Sequence, residues 1–285
     1  MDGLGRSAAA SNAVNALPGP GPLRMALRYA GASLRSRMQY RSSFLMESLG
    51  HLIAAVTEFL GIVALFSRFG SIRDWTVSEV ALFYGVVHVV FAVAEGVGRG
   101  FDSLESHVKN GTFDRVLLRP RSTLLQVLGA ALAPETIGRL LLAGVVLAWA
   151  LAALDGGPAA KDVALLLWAF AGGVAAFFAL LMLSAALSFW TTETLLILAI
   201  VTKGGLETTQ YPIAVFHRAL RYLFLFLVPI GTVTYFPVVQ VLGRPDPLGA
   251  SAAVAWLAPL AGFIFLILVS GIWQLGVRHY TSTGS

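Results

Sequence analysis

Ionisable side chains set inside long apolar stretches are what could do chemistry in this chain of 285 residues. In the first stretch Glu47, His51 and Glu58 fall on one helical face, because they are four and seven residues apart. In the second, Tyr84, His88, Glu95 and Arg99 again lie near one face. Glu135 and Arg139, beside Pro134, stand four residues apart, and so do Lys203 and Glu207. Ionisable groups are expensive in a bilayer and usually face the bundle interior or a wet cavity. One reading is a polar lining for a translocation path, or a relay that passes protons between carboxylate and imidazole. The other is pairing alone, each charge satisfied near a helix end. Glu47, His51, Glu58, His88 and Glu95 are the candidates for a path lining. The motifs of soluble catalysis are missing: the chain has no G-x-x-x-x-G-K-[ST], no H-E-x-x-H and no G-x-S-x-G. It therefore does not bind ATP by a P-loop, and no enzyme activity of its own is expected. There is no cysteine, which excludes disulfides and Cys-ligated metal sites. No metal site and no resident cofactor are expected.

A second kind of chemistry is recognition. Arg99–Ser122, RGFDSLESHVKNGTFDRVLLRPRS, is a polar, basic island between two apolar blocks. Its Arg99, Lys109, Arg115, Arg119 and Arg121 mark it as a cytoplasmic loop. A short turn would have joined two spans, so a loop this long and varied reads as a docking surface. Phe101, Leu104 and Val108 form a short amphipathic stretch that Gly111 can end as a C-cap. Leu117 and Leu118 follow as an apolar foot, and Arg119 before Pro120 makes a rigid exit. Asn110-Gly111-Thr112 matches a glycosylation sequon, but it is discounted on a cytoplasmic loop.

These residues must be held by membrane-spanning helices. Hydrophobic residues are 57% of the chain and charged ones 12%, against about a quarter charged in soluble domains. The mean hydropathy is +0.77. The net charge of +5 is no nucleic-acid signal, since most of it sits where the positive-inside rule places it. A bilayer core needs about 20 apolar residues per helix. Six stretches qualify: Phe44–Phe66, Val77–Gly98, Leu124–Leu154, Val163–Trp190, Thr194–Tyr211 and Ser251–Leu275. The tryptophan pairs Trp168/Trp190 and Trp256/Trp273 are spaced to sit at opposite interfaces of two of them. Gly96 with Gly100, and Gly172–Gly173, allow close helix approach.

Residues 1–22 read as a disordered tail. Residues 23–43, where arginines alternate with Leu and Met, read as a basic helix lying in the interface. Residues 44–279 form the transmembrane domain and 280–285 a short tail. The block 212–249 is interrupted by Arg218, Arg221, Pro229 and Pro237, and reads as a re-entrant hairpin on the outer side rather than a seventh span. The expected fold is all-α, with six transmembrane helices and both termini in the cytoplasm. Arginine far outnumbers lysine, and Ala and Gly are abundant. That usage fits a bacterial chain in the cytoplasmic membrane.

The run Gly111-Thr112-Phe113-Asp114-Arg115-Val116-Leu117-Leu118-Arg119-Pro120 resembles the coupling segment of ABC-2 type permeases, where G-x-[FL]-D-x-x-L-x-[RK]-P joins the second and third spans. Tyr211-Pro212, followed by Pro229 and Pro237, is similar to that family's outer re-entrant region. The basic helix before the first span is a third likeness. The resemblance covers roughly Leu23 to His279. It implies a transmembrane subunit driven by a separate cytoplasmic ATPase dimer, which holds ATP and Mg, and a second permease subunit, identical or related, across the path. It implies that Gly111, Phe113, Asp114, Leu117, Leu118, Arg119 and Pro120 couple the permease to that ATPase. Phe113, Leu117 and Leu118 would enter a groove, with Asp114 and Arg119 orienting them. It implies export of a lipid, glycan, drug or secondary metabolite. A proton-driven secondary transporter using the intramembrane Glu and His residues is the alternative, and a membrane assembly subunit is a third.

Overall fold

A computed structural model describes residues 31, 41–119, 122–130, 133, 136–154, 156–191 and 196–281. The tail over 1–22, most of the expected interfacial helix, Pro120, Arg121, Pro134, Glu135 and residues 282–285 lie outside the described residues.

The described chain is all-helical, with one isolated bridge, Ile72 to Trp75, and no strand. Helix α1 (Arg41–Phe69) turns through residues 70–76 into α2 (Val77–Gly98). Thr76 caps α2: Glu79 reaches back to the Thr76 N–H at 2.8 Å, while its own N–H faces the Thr76 hydroxyl. A 3-10 turn (Arg99–Ser103), α3 (Leu104–Lys109), α4 (Asp114–Leu117) and α5 (Thr123–Ala130) make the connection to α6 (Ile137–Ala152). Then come α7 (Ala160–Leu187) and α8 (Leu196–Thr209). After a 3-10 turn at Ile213–Val215, α9 (Arg218–Tyr222) runs through a π turn (Leu223–Leu227) toward α10 (Ile230–Val241). The last two helices are α11 (Ala252–Leu257) and α12 (Leu260–His279).

Helices α2 and α7 form the centre. The most buried stretch of α2, around Val80–Val90, packs on α6 and α7, and α7 also carries α12 and α10. Where α7 meets α12 the backbones touch: a Cβ on Gly262 would overlap the Gly172 carbonyl, so only glycine permits this approach. Helix α1 rests mainly on α6 and leaves Leu45, Met46, Leu49, Ile53 and Leu60 exposed, as a lipid-facing helix does.

Among the described residues four helical stretches are long and apolar enough to cross a membrane: 42–69, 77–109, 160–187 and 252–279. A fifth counts if the pair Arg218–Leu227 and Ile230–Val241, bent by 99°, is one span. The second expected span coincides with α2. The third divides into α5 and α6, and the fifth is the 14-residue α8, so neither is one long helix among the described residues. Trp273, near the end of α12, is buried against Phe101 and Phe189.

Candidate functional site

Residues 99–119 fold onto the ends of α7 and α12. Asn110 ends α3, and Gly111 follows at φ 65°, the left-handed position that suits glycine beyond a helix. The Phe113 N–H then donates to the His107 carbonyl at 3.1 Å, which folds α4 back on α3. The Gln126 side chain donates to the Val116 carbonyl at 3.1 Å and ties α4 to α5.

This fold separates Phe113 from Leu117 and Leu118, the three residues expected to enter a groove. Phe113 is 0% exposed, with Phe189 and Tyr280 each 5.2 Å away between ring centroids. The expectation that Phe113 enters a partner's groove is thereby corrected. The tight turn at Gly111 points it inward, where an aromatic surface from α7 and α12 receives it. Leu117 and Leu118 do face outward, 40% and 83% exposed. Asp114 is half-buried in the first turn of α4, and Arg119 is exposed. The aromatic contacts continue inward from Phe189 to Trp273, from Trp273 to Phe101 and from Phe101 to Phe178. The exposed leucines thus stand on an aromatic chain that ends inside the helix bundle.

The same segment forms the wall of a cavity of about 660 Å³. Arg99, Phe101, Asp102 and Glu105 line one part of it. His51 and Glu58 of α1, His88 and Glu95 of α2, Arg139 of α6, Ser184 and Ser188, and Thr202, Lys203 and Glu207 of α8 line the rest. Four of the five candidate path residues therefore meet around one space. Glu47 does not; it is exposed on α1.

Two polar groups organise the cavity. Arg139 donates to Glu95 at 2.6 Å and lies 5.3 Å from the Phe91 ring centroid. One partner of Arg139 is thus a residue on α2; Glu135, to which local spacing points, lies outside the described residues. Beyond it, His88 is 1% exposed and stacks on Tyr84 at 4.0 Å. His88 Nε2 is 2.9 Å from the Gln210 side-chain oxygen and 3.5 Å from Glu58. Gln210 in turn donates to Glu207 at 2.8 Å. Glu58, His88, Gln210 and Glu207 so form a polar row from α1 across α2 to the end of α8. Among the described residues no ion pair joins Lys203 to Glu207. Gln210 was missed from sequence because only charges were counted; its place three residues after Glu207 was the available signal.

The residues expected in the re-entrant region mark its breaks. Tyr211, half-buried against Phe216, and Pro212 lead into the 3-10 turn. Pro229 caps α10 beside the bend, and Pro237 is buried within α10. The Thr232 hydroxyl donates to the Leu225 carbonyl, which satisfies a backbone group the bend would otherwise strand.

Among the described residues no group of three or more His, Asp or Glu is arranged to hold a metal ion. The arrangement as a whole is a polar cavity inside an apolar bundle, walled in part by a segment that also presents an apolar knob. A family model described as "ABC-2 family transporter protein" matches residues 52–284. No curated protein and no solved structure matches the chain.

Proposed function

The chain belongs to the ABC-2 transporter family, and from that premise we propose that it is the permease subunit of an ATP-driven exporter. A separate cytoplasmic ATPase dimer holds ATP and Mg²⁺ and acts on the 99–122 segment. Two permease subunits, copies of this chain or this chain with a relative, enclose the path at their interface. In this reading α1, α2, α5 with α6, α7, α8, and α11 with α12 supply six spans of a bacterial cytoplasmic membrane, termini inside. The bent pair α9–α10 is the outer re-entrant element.

One arrangement carries the proposal. The segment that offers Leu117 and Leu118 to a partner also walls the cavity through Arg99, Phe101, Asp102 and Glu105. A push on the leucines reaches α7 and α12 through Phe113, Phe189 and Tyr280. It reaches the cavity through Trp273 and Phe101. Close-packed side chains transmit such a displacement because they have no free volume to absorb it. Gly111 sets the fold of the lever, Asp114 and Arg119 orient it, and Pro120 stiffens its exit. His51, Glu58, His88 and Glu95 line the inner half of the path; Glu47 sits outside it on α1.

The row Glu58–His88–Gln210–Glu207 favours a second reading, proton-coupled transport, because it sets exchangeable groups side by side in the cavity. Affinity purification of the chain from native membranes in mild detergent separates the two. The ATP-driven reading expects a P-loop ATPase to co-purify, and expects Leu118→Asp to release it. Recovery of the chain without any ATPase, with cargo movement powered by a proton gradient alone, would overturn it.

A further inference from the structure

At the opposite end of α2 from the 99–122 segment, the α1–α2 turn meets the start of the bent helix pair. The junction holds a pocket of about 330 Å³ lined by Arg73, Val215, Phe216, His217, Arg218 and Arg221. Among the described residues no carboxylate pairs with any of these three arginines. Arg221 Nε donates to the Phe216 carbonyl at 2.8 Å, which leaves its terminal nitrogens for something else.

Neighbouring charges are accounted for differently. Arg244 pairs with Glu79 at 2.9 Å, donates to the Asp74 carbonyl at 2.8 Å and covers Trp75 at 4.8 Å. Asp246 accepts from Tyr235 at 2.7 Å and from the N–H groups of Leu248 and Ala250 at 3.0 and 2.8 Å. Neither Glu79, Asp74 nor Asp246 lines the pocket. Arg73 is also held at φ 48°, in the left-handed region that a residue with a Cβ rarely adopts. The turn that holds it is closed by reciprocal Ile72 and Trp75 backbone bonds of 3.1 and 3.0 Å. The positive charge is therefore built into the pocket with no carboxylate among the described residues lining it or paired with its arginines.

The pocket adjoins an apolar surface. Tyr222, Phe226 and Leu227, on the same bent element, are 64%, 72% and 71% exposed, and the two rings stack at 5.9 Å. Guanidinium forks match phosphate oxygens, and exposed aromatic and leucine side chains match the start of acyl chains. We propose that this pocket binds the headgroup phosphate of an anionic membrane lipid, with the acyl chains laid along Tyr222, Phe226 and Leu227. Its assignment to the outer leaflet rests on the orientation proposed above; the binding itself does not. Retention of positive charge in the cytoplasm does not explain arginines at this end of the bundle.

The test is thermal unfolding of the purified full chain in neutral detergent, titrated with phosphatidylglycerol, phosphatidylcholine or inorganic phosphate. It needs no ATPase, so its outcome is independent of the transport reading. Arg73→Gln with Arg218→Gln is the variant, since both side chains are exposed and Arg221 is left to hold Phe216. Phosphatidylglycerol should raise the wild-type Tm at concentrations where the other two additives do not. The double variant should need about tenfold more of it, as expected when charge-assisted contacts are lost. Lys161→Gln, at the start of α7, should behave as wild type. Native mass spectrometry supplies a second readout: phosphatidylglycerol retained on the wild type and lost from the double variant, whatever the variant's own Tm. Equal phosphatidylglycerol binding by wild type and double variant would overturn the proposal. So would an equal response to phosphatidylcholine, and a full response to inorganic phosphate would make this a free-anion site and overturn the lipid assignment.

Discussion

Phe113→Ala and Leu118→Asp should fail in opposite ways, although both lie in the segment proposed to couple the chain to an ATPase. Phe113 has no solvent exposure and sits between Phe189 and Tyr280. Truncating a buried Phe to Ala costs about 3–5 kcal/mol, from lost burial and the cavity left behind. Against a total stability of about 5–15 kcal/mol, that is a large share. At about 2 °C per kcal/mol for a chain of this size, the Tm should fall by roughly 6–10 °C. Leu118 is 83% exposed, so Leu118→Asp should alter stability by no more than about 0.5 kcal/mol, or about 1 °C. It should instead abolish ATPase retention, since a carboxylate cannot enter an apolar groove without a partner. The assay is thermal unfolding in detergent, with ATPase co-purification from the same membranes. A Phe113→Ala protein that unfolds at the wild-type temperature yet loses the ATPase would refute the inward placement. So would a Leu118→Asp protein as unstable as Phe113→Ala.

Three further outcomes follow from the cavity and the topology. Arg139→Met should strand Glu95 and cost about 3 kcal/mol, while adding Glu95→Gln should recover much of it, read as Tm; no recovery would mean the pair contributes nothing. Glu58→Gln or His51→Ala should alter the rate or cargo preference of transport while leaving its ATP requirement intact; complete loss together with loss of pH dependence would support proton coupling instead. In this cysteine-free chain, a cysteine placed at Thr76 should react with an impermeant reagent applied to intact cells and one at Thr281 should not; the reverse pattern would invert the proposed orientation.

What could be read from sequence was whatever depends on neighbours a few residues away. The second apolar run has no competing breaker, and α2 fills it from Val77 to Gly98 as expected. Gly111 announced the end of a short helix because few other residues tolerate its backbone angle. The common face of His51 and Glu58, and of His88 and Glu95, followed from helical spacing, and all four reach the cavity. What depended on distant partners was not legible. The inward turn of Phe113 is decided by Phe189 and Tyr280, which no local pattern connects to it. Arg139 pairs with Glu95, 44 residues away, a contact that no local spacing signals. Gln210 carries no charge, and its only sequence signal was its place three residues after Glu207; its contact with His88, 122 residues away, had none. The division of the third apolar run into α5 and α6 was hidden because both halves are apolar.

A partner ATPase should grip the outward face of the coupling segment proposed above. A photo-crosslinking residue at Leu118, in cells making the full chain, tests it without knowledge of the cargo. The same probe at Leu141, which is exposed on α6, is the comparison. The probe at Leu118 should capture a protein with a P-loop ATPase sequence, and the probe at Leu141 should capture lipid. Capture of lipid alone at Leu118, with the ATPase absent, would place this face in the membrane and contradict the claim.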